Sequence, residues 1–301
     1  MNYHHLCVGT ANLARALEFW QGILGMAVKS RPDVAMLETL WDLPTGTIRG
    51  ACQLETPSAN AGALLLVEFD ATTPAVRQQA GVTDLCPKNL DVNCIDLPAR
   101  VRALQAAGYR MRSAPVDYAI GDLQVREVQL PLEEGVNLVL AEILGEPLVT
   151  TPTHYGAITS VVTTTADIEE ESRFFEALGF QRLDRHRLEG PAIETMVGLP
   201  AGGVLHMQLL GEPATRFGRA ELVSYGGASG ADHYPRTRPP ALGLFRAAIR
   251  VRDMPAVRRA CSRAGYALTD VVSLAGPGKP CQACSVQSPS GWWIDLLPLP
   301  A

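Results

Sequence analysis

The histidine of the segment VLHMQLL is the first candidate for acid–base chemistry in this sequence. The segment alternates in the manner of a β-strand, which places Val204, His206 and Gln208 on one face. If that face lines a cavity, His206 is a candidate general acid or base and Gln208 a candidate substrate-binding residue. The alternative is an ordinary strand histidine whose hydrogen bonds are satisfied within the fold.

The long segment GGASGADHYPRTRPP, residues 226–240, and three tryptophans supply further candidates. His233 in that segment could close over a ligand, and the alternative is a solvated loop residue. Trp292 and Trp293 are consecutive, so on a strand they point to opposite faces. We take Trp293 as the candidate for the pocket side, and packing of both rings in the core is the alternative. Trp41 carries the same two alternatives.

Seven cysteines are scattered along the chain, at positions 7, 52, 86, 94, 261, 281 and 284. An odd number without regular spacing predicts reduced thiols in a reducing compartment. Cys281 and Cys284 form a single CxxC, whereas a structural zinc site needs four ligands. We therefore interpret this pair as two small residues near a β-turn.

The composition is that of a folded globular protein and excludes several function classes. Of 301 residues, 47% are apolar and 19% are charged, enough to bury two cores. The net charge of −5 argues against nucleic acid or an anionic membrane surface as partner. No apolar run is long enough to span a bilayer, and the N-terminus lacks the features of a signal peptide. We expect a cytoplasmic protein.

An internal repeat organises the chain. Residues 38–44 read ETLWDLP and residues 194–200 read ETMVGLP, an offset of 156 that also relates Gly62 to Gly218. The two halves are therefore copies of one another. The sequence predicts two domains, residues 1–148 and 149–301.

Each half divides again, so that the chain predicts four tandem βαβββ modules of an α+β protein. In the first module we expect a helix over 13–23 and extended runs around 33–41, 47–55 and 62–69. In the second we expect a helix over 98–107 and strands near 109–114, 122–130 and 136–143. The third module runs over 157–225, and the fourth places a helix over 254–264. Glycines 108 and 265 are helix-ending signals.

Four segments carry a resemblance to a known family: HHLCVGTANLARALEFWQGILGM, TTTADIEEESRFFEALGF, RVRDMPAVRRACSRAGY and SPSGWWIDLL. Over its whole length the chain resembles the vicinal oxygen chelate superfamily, which includes glyoxalases, bleomycin-resistance proteins and extradiol dioxygenases. The four-module length is similar to that of the extradiol enzymes. The resemblance implies two curved mixed-sheet cups, one formed by modules 1 and 2 and the other by modules 3 and 4.

The resemblance also implies where a metal would be held, at one position on the first strand and one on the last strand of each module. In this chain those positions are His5, Leu65, Asn89 and Val139 in the N-terminal half, and Ser160, Glu221, Arg246 and Asp295 in the C-terminal half. A tight site needs at least three imidazole or carboxylate ligands. Neither half supplies them, and we expect no metal and no other cofactor.

In the C-terminal half the implied geometry places Arg246 between Glu221 and Asp295, where a metal would stand. One hypothesis is that Arg246 binds a carboxylate or enolate oxygen while one acid acts as base. The other is a buried ion-pair cluster that only holds the sheet together. We name Glu221, Arg246, Asp295 and His206 as catalytic candidates. The substrate-binding candidates are Ser160, Gln208, Tyr225, His233, Trp293, His5 and Asn89.

Three functions remain open. The first is a metal-independent lyase or isomerase that acts on a small oxygenated metabolite, with or without an aromatic ring. The second is a small-molecule binding protein similar to the bleomycin-resistance members. The third is an extradiol-type ring-cleaving dioxygenase with an atypical metal site. We take the enzyme as the working hypothesis, with a small-molecule ligand and a homodimer as the partners to consider.

Overall fold

The chain is built from four consecutive modules, as a computed structural model shows for residues 1–145, 151–226, 228, 230–274 and 281–299. Module 1 contains β1 (His5–Thr10), α1 (Leu13–Leu17), β2 (Ala27–Ser30), α2 (Val34–Trp41), β3 (Ile48–Glu55) and β4 (Ala63–Phe69). Module 2 contains β5 (Cys86–Cys94), α3 (Leu97–Ala106), β6 (Val116–Ile120), β7 (Leu123–Pro131) and β8 (Asn137–Ile143).

Modules 3 and 4 repeat this order. Module 3 contains β9 (Tyr155–Thr164), α4 (Ile168–Ala177), β10 (Gln181–Glu189), α5 (Pro191–Val197), β11 (Val204–Gly211) and β12 (Arg219–Tyr225). Module 4 contains β13 (Gly243–Val251), α6 (Met254–Arg263), β14 (Val272–Leu274), β15 (Cys281–Gln287) and β16 (Trp293–Pro298). Within the described ranges no helix is both long and apolar enough to cross a membrane.

The first helix of each module begins at an acidic or amide N-cap. The capping side chains, each of which accepts a backbone hydrogen bond from the first turn, are Asn12, Asp96, Asp167 and Asp253. After α1 the helix continues as a π-helical segment, Glu18–Ile23. The predicted helices over 13–23, 98–107 and 254–264 are thereby confirmed within about a residue at each end.

Two predicted strands are wrong. Residues 34–41 form the helix α2, since the Asp33 side chain caps it and apolar residues recur at helical spacing. The first of the three later strands of module 1 lies earlier, at 27–30. In module 2 the strand expected near 109–114 lies at 116–120.

The sixteen strands form two eight-stranded mixed sheets, as the α+β prediction of two cups requires. Sheet one has the order β14-β15-β16-β13-β1-β4-β3-β2, and sheet two the order β10-β11-β12-β9-β5-β8-β7-β6. Sheet one therefore joins modules 1 and 4 through the antiparallel pair β1–β13, and sheet two joins modules 2 and 3 through β5–β9.

The predicted grouping of modules 1 with 2, and 3 with 4, is wrong, because each sheet takes one module from each half. The predicted boundary between residues 148 and 149 lies outside the described residues.

The internal repeat appears in three dimensions as equivalent contacts. A Glu38 carboxyl oxygen accepts a hydrogen bond from the Gly46 backbone at 2.9 Å, and Glu194 accepts one from Gly202 at 2.7 Å. Each pair spans eight residues, and 156 separates the two pairs. The offset found in the sequence thus relates equivalent turns.

Gly62 and Gly218 meet where the two sheets adjoin, and both have a positive φ. A Cβ on Gly62 would lie 2.5 Å from the Ile158 carbonyl oxygen, and one on Gly218 would lie 2.5 Å from that of Tyr3. Because no side chain fits there, the contact requires glycine on both sides.

One face of each sheet borders a single central core, into which the helices α1, α3, α4 and α6 also pack. Trp20, Phe174, Phe175 and Trp292 are fully buried there, together with alternate strand residues of both sheets. We call the opposite face of each sheet its inner face. Helix α2 packs on the inner face of sheet one and α5 on that of sheet two.

Candidate functional site

The inner faces of the two sheets differ in what fills them. On sheet one the Trp41 and Phe245 rings pack edge to face at 5.4 Å within an apolar cluster that also contains Leu65. On sheet two a cavity of about 700 Å³ opens, which we call the sheet-two cavity. This volume is within the range typical of small-molecule sites.

The internal repeat explains this difference. At the offset of 156 the Trp41 indole of α2 corresponds to Val197 of α5, and Leu65 of β4 corresponds to Glu221 of β12. Val197 and Glu221 both line the sheet-two cavity. A smaller side chain on the covering helix and a carboxyl on the strand leave a polar space where sheet one has a packed core.

A pair of carboxyl groups lies on the central strands of this cavity. The Ser160 hydroxyl lies 2.5 Å from Asp91 Oδ2 and 3.0 Å from Glu221 Oε2. Burial raises the pKa of Asp91 well above its ordinary value, and the negative charge of Glu221 raises it further. Burial likewise raises the pKa of Glu221. Burial and mutual repulsion thus favour a proton shared between the two groups over two negative charges.

A third carboxyl group, that of Glu127 on β7, also borders the cavity. The Tyr118 hydroxyl of β6 donates a hydrogen bond to it. Burial raises the pKa of Glu127 to about 7, and the charge of Glu221 adds to the effect, while the bond from Tyr118 opposes it. Glu127 is therefore able to give or take a proton near neutral pH.

Lys88 on β5 supplies a buried amine to the same cavity, with only 3% of the residue exposed. Its Nζ donates to the Val82 carbonyl oxygen at 3.2 Å and to the Tyr225 hydroxyl. Burial lowers the pKa of Lys88 to about 7, and the positive charges of Arg77 and Arg112 lower it further.

Amides and apolar side chains form a large part of the wall, and further ionisable side chains that include Asp184, His186 and Arg219 also line it. Asn137 donates to Asn89 at 2.7 Å and to Gln129 at 3.0 Å, so this row of amides is held in place. The apolar part of the wall comes from β8, β9, α5 and β11 and includes Val139, Val162, Met196, Leu205, Met207 and Leu209. The site therefore combines ionisable groups with an apolar surface.

Comparison with solved structures identifies the architecture. A variant of glyoxalase I from Zea mays aligns with a TM-score of 0.66 and 17% identity, over 99% of this chain and 92% of that chain. Glyoxalase I itself from Zea mays gives 0.65 and 16% over the same shares. The chain has the vicinal oxygen chelate fold over its whole length.

A candidate dioxygenase from Bacillus subtilis subsp. subtilis strain 168 shares the vicinal oxygen chelate fold as well. Its TM-score is 0.63 at 13% identity, over 100% of this chain and 86% of that chain. No protein-family model matches the sequence, and no curated protein matches it significantly. At these identities the similarity establishes the fold, and the residues of the cavity must carry the argument about function.

The metal positions of the vicinal oxygen chelate fold do not hold a ligand set here. In the sheet-two cavity they are Asn89, Val139, Ser160 and Glu221, which supply one carboxyl, one amide, one hydroxyl and one alkyl group. Across the described residues, no three histidine, cysteine, aspartate or glutamate side chains are grouped so that they could bind a metal ion. The donor set does not fit the metal of the fold family.

Four of the residues predicted from sequence line the sheet-two cavity: Asn89, Ser160, Glu221 and Tyr225. The predicted placement of Arg246 between Glu221 and Asp295 is wrong, because Glu221 belongs to sheet two and the other two residues to sheet one. His206 and Gln208 share a face, as predicted, but Leu205, Met207 and Leu209 are the β11 residues that reach the cavity. Gln208 instead donates to the Asp184 carbonyl oxygen at 2.8 Å.

Arg246 and Asp295 form a buried ion pair on the inner face of sheet one, with Nε 2.7 Å from Oδ1. Ser285 bonds to both partners at 2.6 Å, and the Trp41 indole donates to the second Asp295 oxygen at 2.8 Å. The guanidinium lies 5.4 Å from the centre of the Trp293 ring. These contacts support the structural hypothesis for Arg246, because both charges are satisfied within the protein.

The remaining candidates also lie away from the cavity. His233 Nε2 lies 2.9 Å from Asp84 Oδ2, which ties His233 to the loop before β5. His5 on β1 of sheet one contacts His4 with their Nδ1 atoms 2.8 Å apart. Cys281 and Cys284 are free thiols on β15.

The cavity residues that sequence reasoning missed include Lys88, Asp91, Tyr118 and Glu127. A signal was present in CPKNLDVNC, where Asn89, Asp91 and Asn93 alternate with apolar residues. Three polar residues on one face of a predicted strand, one of which was already a candidate, indicate a lined cavity.

Proposed function

We propose that this chain binds a small oxygenated metabolite in the sheet-two cavity and catalyses a metal-independent proton-transfer reaction of the lyase or isomerase type. The observation that carries the proposal is the carboxyl pair Asp91–Glu221, bridged by Ser160 in a cavity of about 700 Å³. Paired carboxyls that hold one proton provide an acid and a base at the same place.

The chemistry follows from the protonation states. One member of the pair can accept a proton from carbon or oxygen while the other remains a donor. Glu127, whose pKa burial raises to about 7, lies on the same cavity wall and can act as a second acid or base. A reaction that removes a proton at one atom and returns it at another requires such groups.

The amide and apolar side chains of the wall suit a ligand that carries both oxygen substituents and a hydrocarbon part. The amides of Asn89 and Gln129 offer hydrogen bonds to hydroxyl or carbonyl oxygens, whereas the Val139, Met207 and Leu209 side chains form an apolar surface. A ligand with oxygen substituents at one end and a hydrocarbon body satisfies both parts.

The second candidate function is binding without chemistry. Met196 and Met207 both line the cavity, and flexible thioether side chains suit a site that accepts several ligands. A binding protein would use the same cavity but would not depend on the protonation of the carboxyl pair.

The test compares protein as purified with protein treated with a chelator, each against a panel of hydroxyacetone, phenylacetaldehyde, mandelate and catechol. Thermal shift reports binding, and proton NMR in D2O reports exchange of hydrogen next to the carbonyl group. We expect a panel member to bind and exchange in the wild type. Glu221→Gln should bind and lose exchange, Val197→Trp should lose both, and the exposed control Glu212→Gln should lose neither.

Each result decides between the candidates. Binding without exchange would favour the binding protein. Exchange that disappears on chelation and returns with a stoichiometric metal would contradict the metal-independent reaction.

A further inference from the structure

Lysine is scarce in this chain. Of its 26 lysine and arginine residues only Lys29, Lys88 and Lys279 are lysines. Lys29 is exposed and pairs with Glu55, and Lys279 lies outside the described residues. Lys88 is therefore a buried lysine in a protein whose other positively charged side chains are almost all arginines.

The surroundings of Lys88 suit a neutral amine better than an ammonium ion. Among the described residues no carboxylate oxygen lies within 4.0 Å of Nζ, and its hydrogen-bond partners are the neutral Val82 carbonyl and Tyr225 hydroxyl groups. Arg77 and Arg112 add positive charge nearby, and burial together with these charges outweighs the opposing effect of Cys86 and Asp91 on the pKa of Lys88. Desolvation and like charge both disfavour the ammonium form.

We propose that Lys88 is a nucleophile that forms an imine with a small aldehyde or ketone bound in the sheet-two cavity. This inference rests on the proposed function in so far as that cavity must admit the carbonyl compound. Arginine could supply charge at this position but could not form an imine, whereas a buried neutral lysine can.

The step balances without an oxidant or reductant. The amine lone pair attacks the carbonyl carbon, a C–N bond forms, and the C=O π pair moves to oxygen, which takes up a proton. Loss of that oxygen as water gives the imine, so amine and carbonyl compound yield imine and water. The Asp91–Glu221 pair is the proton source on the same wall, and the Tyr225 hydroxyl holds the amine. A protonated imine draws electrons from the neighbouring carbon and thereby assists proton removal there.

The experiment traps the imine with benzaldehyde and sodium cyanoborohydride at pH 7.0, followed by intact mass and peptide mapping. The pKa of Lys88 is lowered to about 7, so about half of it is neutral at this pH. An exposed lysine of ordinary pKa is neutral in only about one molecule in 2,500 at this pH. We expect one N-benzyl adduct, located at Lys88, to form at least about tenfold faster than labelling of Lys29.

The variants separate nucleophilic from structural roles. Lys88→Met and Lys88→Arg should both lose the adduct. Lys88→Arg keeps a positively charged side chain, so it serves as the test if Lys88→Met fails to fold. Lys29→Arg and Lys279→Arg should keep it. Labelling spread over Lys29 and the N-terminus with Lys88 unmodified in the wild type would overturn the inference.

A second probe separates this failure from failure of the proposed function. Benzyl alcohol can occupy the cavity but cannot form an imine. If it shifts the melting temperature of the wild type but not of Val197→Trp, while Lys88 stays unlabelled, the imine is wrong and the cavity still binds. If Lys88 is labelled, the inference is supported whether or not benzyl alcohol binds.

Discussion

Two buried cations of this chain, Arg246 and Lys88, differ in what surrounds them. Arg246 has the Asp295 carboxylate 2.7 Å from its Nε and the Ser285 hydroxyl beside it. Lys88 has only neutral hydrogen-bond partners. A paired cation keeps its charge and holds strands together, whereas an unpaired buried amine tends to lose its proton. The same residue class thus has different roles on the two sheets.

The ion pair on sheet one leads to a stability prediction. Arg246→Met leaves the buried Asp295 charge without its cation, and we expect a loss of about 3–5 kcal/mol in the free energy of unfolding. Removing both charges in Arg246→Met/Asp295→Leu should recover part of it. Denaturant unfolding measures both, with Arg250→Met on the same strand as control. An unchanged midpoint for the single variant would show that the ion pair does not stabilise the fold. Loss of binding in the sheet-two cavity would show that the ion pair has a role beyond stability.

Glu127 leads to a prediction about pH. Burial raises its pKa to about 7 in the folded protein, against an ordinary value of about 4.3 in the unfolded chain. The stability that its protonation contributes is complete below the unfolded value and is lost as the pH rises through about 7. Glu127→Gln should therefore gain melting temperature relative to wild type as the pH rises from about 4.5 to 7.5.

The charged and titratable groups around Glu127 are Tyr118, Asp91 and Glu221. They remain in both proteins, so the difference between the two melting curves isolates Glu127. A difference that stays constant across this pH range would mean that its pKa is ordinary.

At the scale of elements, one pair of equivalent helices decides which sheet carries a cavity. Helix α2 places Trp41 on the inner face of sheet one, and α5 places Val197 at the equivalent point of sheet two. Both helices end at a residue with positive φ, Asp42 and Gly198. The last helical residue before each of these ends is Trp41 in α2 and Val197 in α5, so the two helices differ in the size of the side chain at this position.

Exchanging these side chains tests that explanation. Val197→Trp should fill the sheet-two cavity and abolish ligand binding while the protein still folds, since the cavity has room for an indole. Trp41→Val removes a buried ring and its bond to Asp295, and we expect a loss of about 3–5 kcal/mol. Chemical unfolding and thermal shift with the ligand panel measure both. A lower free energy of unfolding for Val197→Trp would indicate that side chains of the protein already fill the cavity and that the indole has no room there.

The sequence predicts these elements unevenly, for physical reasons. The N-caps and glycine stops of the module helices are local signals, and those helices were predicted correctly. The pattern over the helix α2 predicts a strand wrongly, because eight residues with several apolar positions fit either period. Alternation on β11 correctly grouped His206 with Gln208, but it cannot tell which of two buried faces meets a cavity.

At the scale of the whole molecule, the pairing of the modules could not be predicted from a repeat. Four similar modules offer several equivalent ways of joining first strands, and local patterns do not distinguish β1–β13 from β1–β5. The choice separates Glu221 from Arg246 and brings Asp91 of module 2 beside Glu221 of module 3. Spacing along the sequence identifies the residues at the family's ligand positions. Which of these residues lie next to each other depends on how the strands pair, and spacing does not show that.

The same topology predicts that the two halves of the chain are not independent. Residues 1–145 contain β1 and β5, whose partners β13 and β9 lie in residues 151–301. Each fragment alone exposes two central strand edges and half of a core that spans both sheets. We expect neither fragment to give a cooperatively folded monomer.

Mixing the two fragments should therefore restore the fold as a one-to-one complex, since both central strand pairs then close. Size-exclusion chromatography and circular dichroism of each fragment and of the equimolar mixture provide the measurement. Introducing Gly218→Val into the second fragment is the matched control, because its side chain would collide with the first fragment at the Tyr3 carbonyl oxygen. That fragment should fail to complement. A monomeric, cooperatively unfolding 1–145 fragment would mean that modules 1 and 2 can form a complete domain, and the pairing across halves would then not be required for folding.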